Sequence, residues 1–271
     1  MNMWTSFFRL MTELSARKWV SRMAGRFAKS GMSRHLIPRF ARMYGIDPLE
    51  AEMTMEQYPS LNAFFTRRLK PGLRPVDPDP DAVTSPVDAR ITGIGLAEDG
   101  VLLNVKGQDY GVEELLNGSP RAVNYRNGFY FVLYLSPSDY HRIHSPVSGT
   151  IVEKERVPGK VYPVNEFGLR HMKKTLSRNE RLITYIRHDR GEAALVKVGA
   201  LNVSGIRYAE TLGDRVEKGE ELAVFEFGST VVLLLEQGTF RVRPDLMVNS
   251  RVKMGEALGT LVDKHAAKAG R

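Results

Sequence analysis

Two stretches near the C-terminal end constrain the fold more than any other feature of the chain. DRVEKGEELAVFE at 214–226 aligns without a gap on SRVKMGEALGTLV at 250–262. Arg215 meets Arg251, Val216 meets Val252, Gly219 and Glu220 meet Gly255 and Glu256, and Leu222 meets Leu258. Asp214 and Glu217 face the polar Ser250 and Lys253. A valine, a short gap, Gly-Glu and a further apolar residue read as strand, turn and strand. Two such hairpins are expected to flank VFEFGSTVVLLLEQG (224–238), where Gly-Ser-Thr stands between an alternating strand and a run of aliphatics.

That layout resembles the barrel-sandwich hybrid of biotinyl and lipoyl carrier domains, which carry a modifiable lysine on a hairpin tip between two such units. Here the tip is Phe227-Gly228-Ser229, with no lysine to modify, so attention passes to the serine. Upstream, ARITGIGL (89–96), VLLNVKG (101–107) and the long apolar FYFVLYL (129–135) read as strands, the last of them central, with a helical EELLN between. Pro71, Pro75, Pro78 and Pro80 forbid regular structure in the connector before them. The expected fold is α+β and predominantly β. A helical arm and connector over 1–80 precede a β-rich body over 81–271, built as a lipoyl-like sandwich.

Charge singles out the arm. Residues 1–46 hold nine Lys and Arg against Glu13 alone, which is the whole of the chain's formal +8, since the remainder is balanced. Trp4, Phe7, Phe8, Met11, Leu14, Trp19, Met23 and Phe27 recur at helical spacing, beside a stripe of Lys18, Arg22, Arg26 and Lys29. No run approaches the ~20 apolar residues of a membrane span. The pattern suits a helix lying in a lipid interface on an anionic surface. A soluble helix packed on the body is the plainer alternative. Basic charge alone would also serve nucleic acid, but aromatics on the apolar stripe favour lipid and no nucleic-acid partner is expected. Without cysteine, disulfides, thiolate metal sites and a cysteine nucleophile are excluded.

YLSPSDYHRIHSPVSGTI (134–151) places His141 and His144 three apart beside Asp139, directly after the expected central strand. An H-x-x-H pair with one nearby carboxylate is short of a ligand set, so no metal is expected. Two histidines satisfying turn carbonyls is one reading, and acid–base work is the other. Asp88, in TSPVDARITGIG (84–95), reads on its own as a turn aspartate.

FGST (227–230), DYHRIHSP (139–146), SPVDARI (85–91), FFTRRLKPGLRP (64–75) and VKGQDY (105–110) together resemble the phosphatidylserine decarboxylase family, in order, over about residues 58–262. Phe227 stands where the family usually has leucine, and Ala89 where it usually has glycine after the aspartate. The resemblance implies a carboxy-lyase that makes its own cofactor. Ser229 attacks the Gly228 carbonyl, an N-to-O shift gives an ester, elimination leaves dehydroalanine, and hydrolysis with loss of ammonia yields a pyruvoyl group. The chain becomes a β chain 1–228 and an α chain 229–271 that stay associated. A Ser229–His144–Asp88 arrangement is implied for that step, with His144 the base and Asp88 holding its tautomer. His141 is left for the proton in decarboxylation, the two histidines being exchangeable at this stage. The pyruvoyl carbonyl then takes the substrate amine as a Schiff base and accepts the electrons released with CO₂. The implied substrate is phosphatidylserine, the product phosphatidylethanolamine, and the place the cytoplasmic face of the cell membrane, bound peripherally; a homodimer is left open. A carrier module on a lipoyl-like fold, and a pyruvoyl decarboxylase of a soluble amino acid, are the competing readings.

Overall fold

The computed structural model describes residues 18–105, 107–160, 162, 174–199, 205–226 and 229–264, with backbone alone for 18–22, 24, 103–105 and 229. Gly228, the rest of the 1–17 arm and Phe227 lie outside the described residues. The fold is α+β and predominantly β, with no closed barrel among the described residues.

Three helices open it: α1 (Lys18–Lys29), α2 (Ile37–Tyr44) and α3 (Leu61–Phe65). Gly45 ends α2 at φ 65°, its N–H reaching the Ala41 and Arg42 carbonyls, a conformation that costs glycine little. Ser60 caps α3 by accepting the Ala63 N–H. Ile37, Ala41, Tyr58, Leu61 and Phe64 form a small core of their own. The proline-rich segment that follows carries no helix or strand up to Asp81, as its sequence requires.

The body is built from seven strands used twice. The first set begins with β1 (Ala82–Thr84) and β2 (Ala89–Leu96), passes through a small hairpin of β3 (Val101–Val105) and β4 (Gln108–Gly111), and pauses after β5 (Phe129–Leu135). The second set then runs uninterrupted: β6 (Arg142–His144), β7 (Gly149–Val157), β8 (Arg181–His188), β9 (Gly191–Gly199), β10 (Ile206–Tyr208), β11 (Arg215–Val216) and β12 (Glu221–Phe225). The first set resumes with β13 (Ser229–Leu235), β14 (Phe240–Val242), β15 (Arg251–Val252) and β16 (Ala257–Leu261). The eight-stranded antiparallel sheet has the order β11-β7-β8-β9-β13-β5-β2-β15, which maps each strand onto its counterpart when read from either end. The two three-stranded sheets, β10-β12-β6 and β14-β16-β1, correspond in the same way.

The local bonds repeat with the strands. Thr84 N–H donates to the Pro146 carbonyl and His144 N–H to the Pro86 carbonyl, each at 2.9 Å. Ser85 and Ser145 donate Oγ–H to Val87 and Val147, and their N–H groups reach Glu256 and Glu220. Gly219 and Gly255 take φ of 84° and 89° in the matching turns. The repeat seen at 214–226 and 250–262 is therefore half of a larger one that also equates SPVDAR (85–90) with SPVSGT (145–150).

The V-x-x-G-E units do not form the expected hairpins. β11 pairs with β7 and β15 with β2 at the two edges of the large sheet, while β12 and β16 enter the small sheets. Nor is Ser229 at a hairpin tip. It opens β13, which pairs along its length with both β5 and β9. The physical reason is the unbroken Val-Val-Leu-Leu-Leu run, which suits a strand covered on both faces rather than one arm of a surface hairpin. Val231, Leu233 and Leu235 face the core beneath the small sheets, and Val232 and Leu234 face the core beneath the β3–β4 hairpin and short helices. Each such side chain contributes roughly 1.5–3 kcal/mol on burial. FYFVLYL is an interior strand as expected, and Ala89 begins β2 without a positive φ.

Candidate active site

Strand alternation puts position 229 on the face shared by Val231 and Leu233, the one covered by the small sheet that carries β6. Its backbone lies opposite Leu135 at the end of β5 and Gly199 at the end of β9. From Leu135 the chain runs through Ser136–Tyr140 to His141. From the other side, Phe225 donates its N–H to the His141 carbonyl at 3.0 Å, and β6 pairs with β12 with His144 opposite Glu221. Four residue steps from Phe225 reach Ser229, at most ~14 Å of chain. The fold thus brings the two histidines and Ser229 into one neighbourhood.

Both imidazoles are buried and held alike. His141 Nδ1 lies 2.7 Å from the Asp139 carbonyl, and His144 Nδ1 lies 2.7 Å from the Gly219 carbonyl. A carbonyl only accepts, so each Nδ1 carries the proton and each Nε2 the lone pair. His144 Nε2 accepts from the Tyr140 hydroxyl at 3.2 Å. His141 Nε2 is buried with no hydrogen-bond partner among the described residues, and the ring stacks on Phe65 at 4.0 Å between centroids. Burial pushes His141 down to about 3 and also lowers His144, the latter partly offset by the Gly219 carbonyl and by Glu221 and Asp88. At neutral pH both rings are uncharged bases. Burial raises the Tyr140 phenol to about 12, so it remains a donor.

Asp88 is near but does not orient His144. Its carboxylate is gripped by Arg74, through Nε at 2.9 Å and Nη2 at 2.6 Å, and accepts the Met254 N–H at 2.9 Å. The expectation that Asp88 holds the tautomer is corrected: the Gly219 carbonyl has that place. The reason is the turn at Gly219, whose left-handed backbone sits where the ring arrives. Asp88 acts on His144 through its charge, which favours the imidazolium. Its counterpart in the other repeat is Ser148, which accepts the Lys218 N–H where Asp88 accepts that of Met254, and the counterpart of His144 is Thr84. The acid and the base thus come from different halves.

Several residues here carry no sequence-level assignment: Arg74, Tyr140, Gly219 and Phe65. Arg74 and Phe65 stand in the FFTRRLKPGLRP stretch and Tyr140 in DYHRIHSP, so their motifs pointed to the place without giving roles. The helical segment is tied in by Arg142, which donates to the Thr66 carbonyl and pairs with Glu221 at 2.5 Å. Lys29 at the end of α1 pairs with Glu226 at 2.8 Å. A cleft of about 400 Å³ opens beside these groups, lined among others by Glu50, Arg67, Arg74, Asp88, Asp139 and Tyr140.

The profile of the phosphatidylserine decarboxylase family matches residues 61–260. Among similar proteins, the phosphatidylserine decarboxylase proenzyme of Geobacillus kaustophilus (strain HTA426) is 43% identical over 258 residues, covering 95% of this chain and 97% of the relative. The proenzymes of Anoxybacillus flavithermus (strain DSM 21510 / WK1) and Halalkalibacterium halodurans (strain ATCC BAA-125 / DSM 18197 / FERM 7344 / JCM 9153 / C-125) are 42% and 44% identical. They cover 95% and 94% of this chain and 97% and 98% of their own lengths.

Proposed function

The chain belongs to the phosphatidylserine decarboxylase family, and from that premise we propose that it removes the serine carboxyl of phosphatidylserine as CO₂ after cutting itself between Gly228 and Ser229. The observation that carries this is the pair of buried, neutral imidazoles whose Nε2 lone pairs are free of any backbone bond, held beside β12, the strand that runs toward Ser229.

In the self-cleavage His144 Nε2 takes the proton of the Ser229 hydroxyl, displacing the Tyr140 phenol that now occupies it. The Gly219 carbonyl keeps the ring in the correct tautomer, and the Asp88 charge stabilises the imidazolium as it forms. Arg74 and the Met254 N–H hold that carboxylate in place. Thr230 Oγ1 and His141 Nε2 are buried and unpartnered among the described residues, which fits a new carbonyl-bearing terminus at 229 that would use both. That pyruvoyl group supplies the electron sink for loss of CO₂. His141, with Nε2 as its basic nitrogen, holds or returns the proton at the substrate carbon, in a site that Phe65 keeps dry.

The arm belongs to the same reading. Met23, Phe27 and Met32 are exposed, as are Arg26 and Arg34, which supports an interfacial face rather than packing on the body at these positions. Among the described residues no helix is long and apolar enough to cross a membrane. That surface supports peripheral attachment to an anionic leaflet, which we place at the cytoplasmic face of the cell membrane. Residues 1–80 then deliver the enzyme and 81–271 carry out the chemistry, and the matched hydrogen bonds of the two halves support a lipoyl-like sandwich origin for the body.

On a denaturing gel the purified protein is expected as two fragments divided before Ser229, releasing CO₂ from phosphatidylserine vesicles. Ser229→Ala is expected as one inactive chain. An uncut wild-type chain that still decarboxylates refutes the self-made cofactor.

A further inference from the structure

Arg67 stands out as a buried cation with donors left over. It is 4% exposed, yet only Nη2 is engaged, donating to the Ser138 carbonyl at 3.0 Å. Nε and Nη1 are buried and have no hydrogen-bond partner, and no carboxylate lies within 4.0 Å among the described residues. The guanidinium sits 5.3 Å from the centroid of the Phe64 ring. Neighbouring arginines in the same cleft are spent: Arg74 on Asp88 and Glu50, and Arg251 on Asp139. A buried charge is expensive unless it is paired, so two unspent donors on a cleft wall call for an anion that the protein itself does not supply.

We propose that Arg67 binds the phosphodiester of the lipid head group, a phosphate oxygen taking up its unspent Nη1 donor from the 400 Å³ cleft beside Tyr140. The inference rests on the phosphatidylserine reading. The substrate offers two anions, a phosphodiester and a carboxylate, and the choice between them follows from the reaction. The carboxylate loses its charge as CO₂ leaves, so a fixed cation on it would stabilise the ground state above the transition state and slow the chemistry. The phosphodiester keeps its charge throughout. The place is also correct, because the loop whose Ser138 carbonyl anchors Arg67 is the loop that ends in His141. Tyr140, on the cleft wall, touches His144 Nε2. Arg67 is thus a binding residue that positions the head group, and it does not act on the reacting carbon.

The test is steady-state kinetics on detergent-dispersed phosphatidylserine with wild type, Arg67→Met and Arg67→Lys, each first checked for self-cleavage. For Arg67→Met the expected result is a cut chain whose KM rises at least tenfold while kcat falls less than threefold. Arg67→Lys, keeping the charge and losing the guanidinium, is expected to recover part of that loss. A processed Arg67→Met with unchanged KM, or one whose loss lies wholly in kcat, overturns the proposal. If Arg67→Met fails to fold, unchanged KM in Arg67→Lys overturns it. If neither folds, wild type decides: glycerophosphoethanolamine must inhibit at least tenfold more strongly than ethanolamine, and equal inhibition overturns the phosphate site. Inorganic phosphate, run alongside, is expected to compete more weakly than glycerophosphoethanolamine; equal competition by the free ion overturns a site fitted to the diester. Wild type that releases no CO₂ from phosphatidylserine sinks the functional reading instead, so the two failures are separable.

Discussion

Lys197 is buried in the middle of the large sheet, and replacing it with methionine is expected to stabilise the protein at neutral pH. The residue sits on β9 opposite Leu182 and Val231, fully buried. Its ammonium donates to Thr184 Oγ1 at 2.6 Å, with the Leu195 carbonyl at 3.4 Å and the Tyr208 ring at 5.4 Å, and no carboxylate pairs with it among the described residues. Burial lowers its pKa from 10.5 to about 7. At ~1.36 kcal/mol per unit that drop corresponds to a destabilisation on the order of 5 kcal/mol. Methionine fills a similar volume and loses the bond to Thr184, which keeps its contact with the Tyr208 hydroxyl at 3.2 Å, so about 1 kcal/mol is given back. With denatured-state structure further reducing the effect, Lys197→Met should be roughly 2–4 kcal/mol more stable at pH 7. The sign with pH is fixed. Between about 7 and 10.5 the unfolded lysine binds a proton that the folded one does not, so wild type gains stability as pH rises. The ionisation part of the difference is therefore largest and constant below about pH 7 and is lost by about 10.5. Urea unfolding at pH 6, 8 and 10 in the Ser229→Ala background, where one chain unfolds, measures it, and groups common to both proteins cancel. A difference that does not change over that range refutes the reasoning.

His144→Ala is expected to remain uncut by mass spectrometry, whereas Tyr140→Phe is cut within a few-fold of the normal rate; normal scission in His144→Ala removes that residue as base. Because burial holds His144 below its ordinary 6.5, the cleavage rate should persist to a pH under 6.5 and then fall as the ring is protonated; a loss centred above 6.5 contradicts this. Gly149→Ala should lose roughly 1–3 kcal/mol, read as melting temperature and soluble yield, because a Cβ there would overlap the Arg187 carbonyl within the β7–β8 pairing; a variant as stable as wild type rules out that clash. Deleting residues 2–30 should reduce sedimentation with anionic vesicles at least fivefold, and more at low salt than at high; unchanged binding returns the arm to the soluble-helix reading.

What the sequence disclosed and withheld follows from range. FYFVLYL and VVLLL announce strands buried on both faces, because their composition is a local record of being covered twice. His141, His144, Asp88 and Ser229 stand in short motifs, which is why the sequence singles them out as candidates. The SPV repeat at 85 and 145 is harder to read, although both copies stand in the sequence. One half of the duplication is split by the whole of the other, so the spacing is 60 residues there and 36 near the C-terminus. Pairing partners were misassigned for a related reason: a V-x-x-G-E unit specifies its turn, while which sheet each arm joins is set by strands a hundred residues away. The orienting group on His144 could not be read at all, since a backbone carbonyl leaves no trace in residue type.

The interrupted repeat also dictates an order of events. A cut before Ser229 would leave β13 held between β5 and β9, and β14 to β16 distributed over a small sheet and the far edge of the large one. The 43-residue product is thus interleaved with the rest of the molecule rather than resting against it. Dilution gives it no exit short of unravelling the central sheet, and once out it has no continuous chain to guide its return. On the proposed self-cleavage, assembly would have to be complete before scission, so the catalyst would be made only in molecules that had already folded correctly.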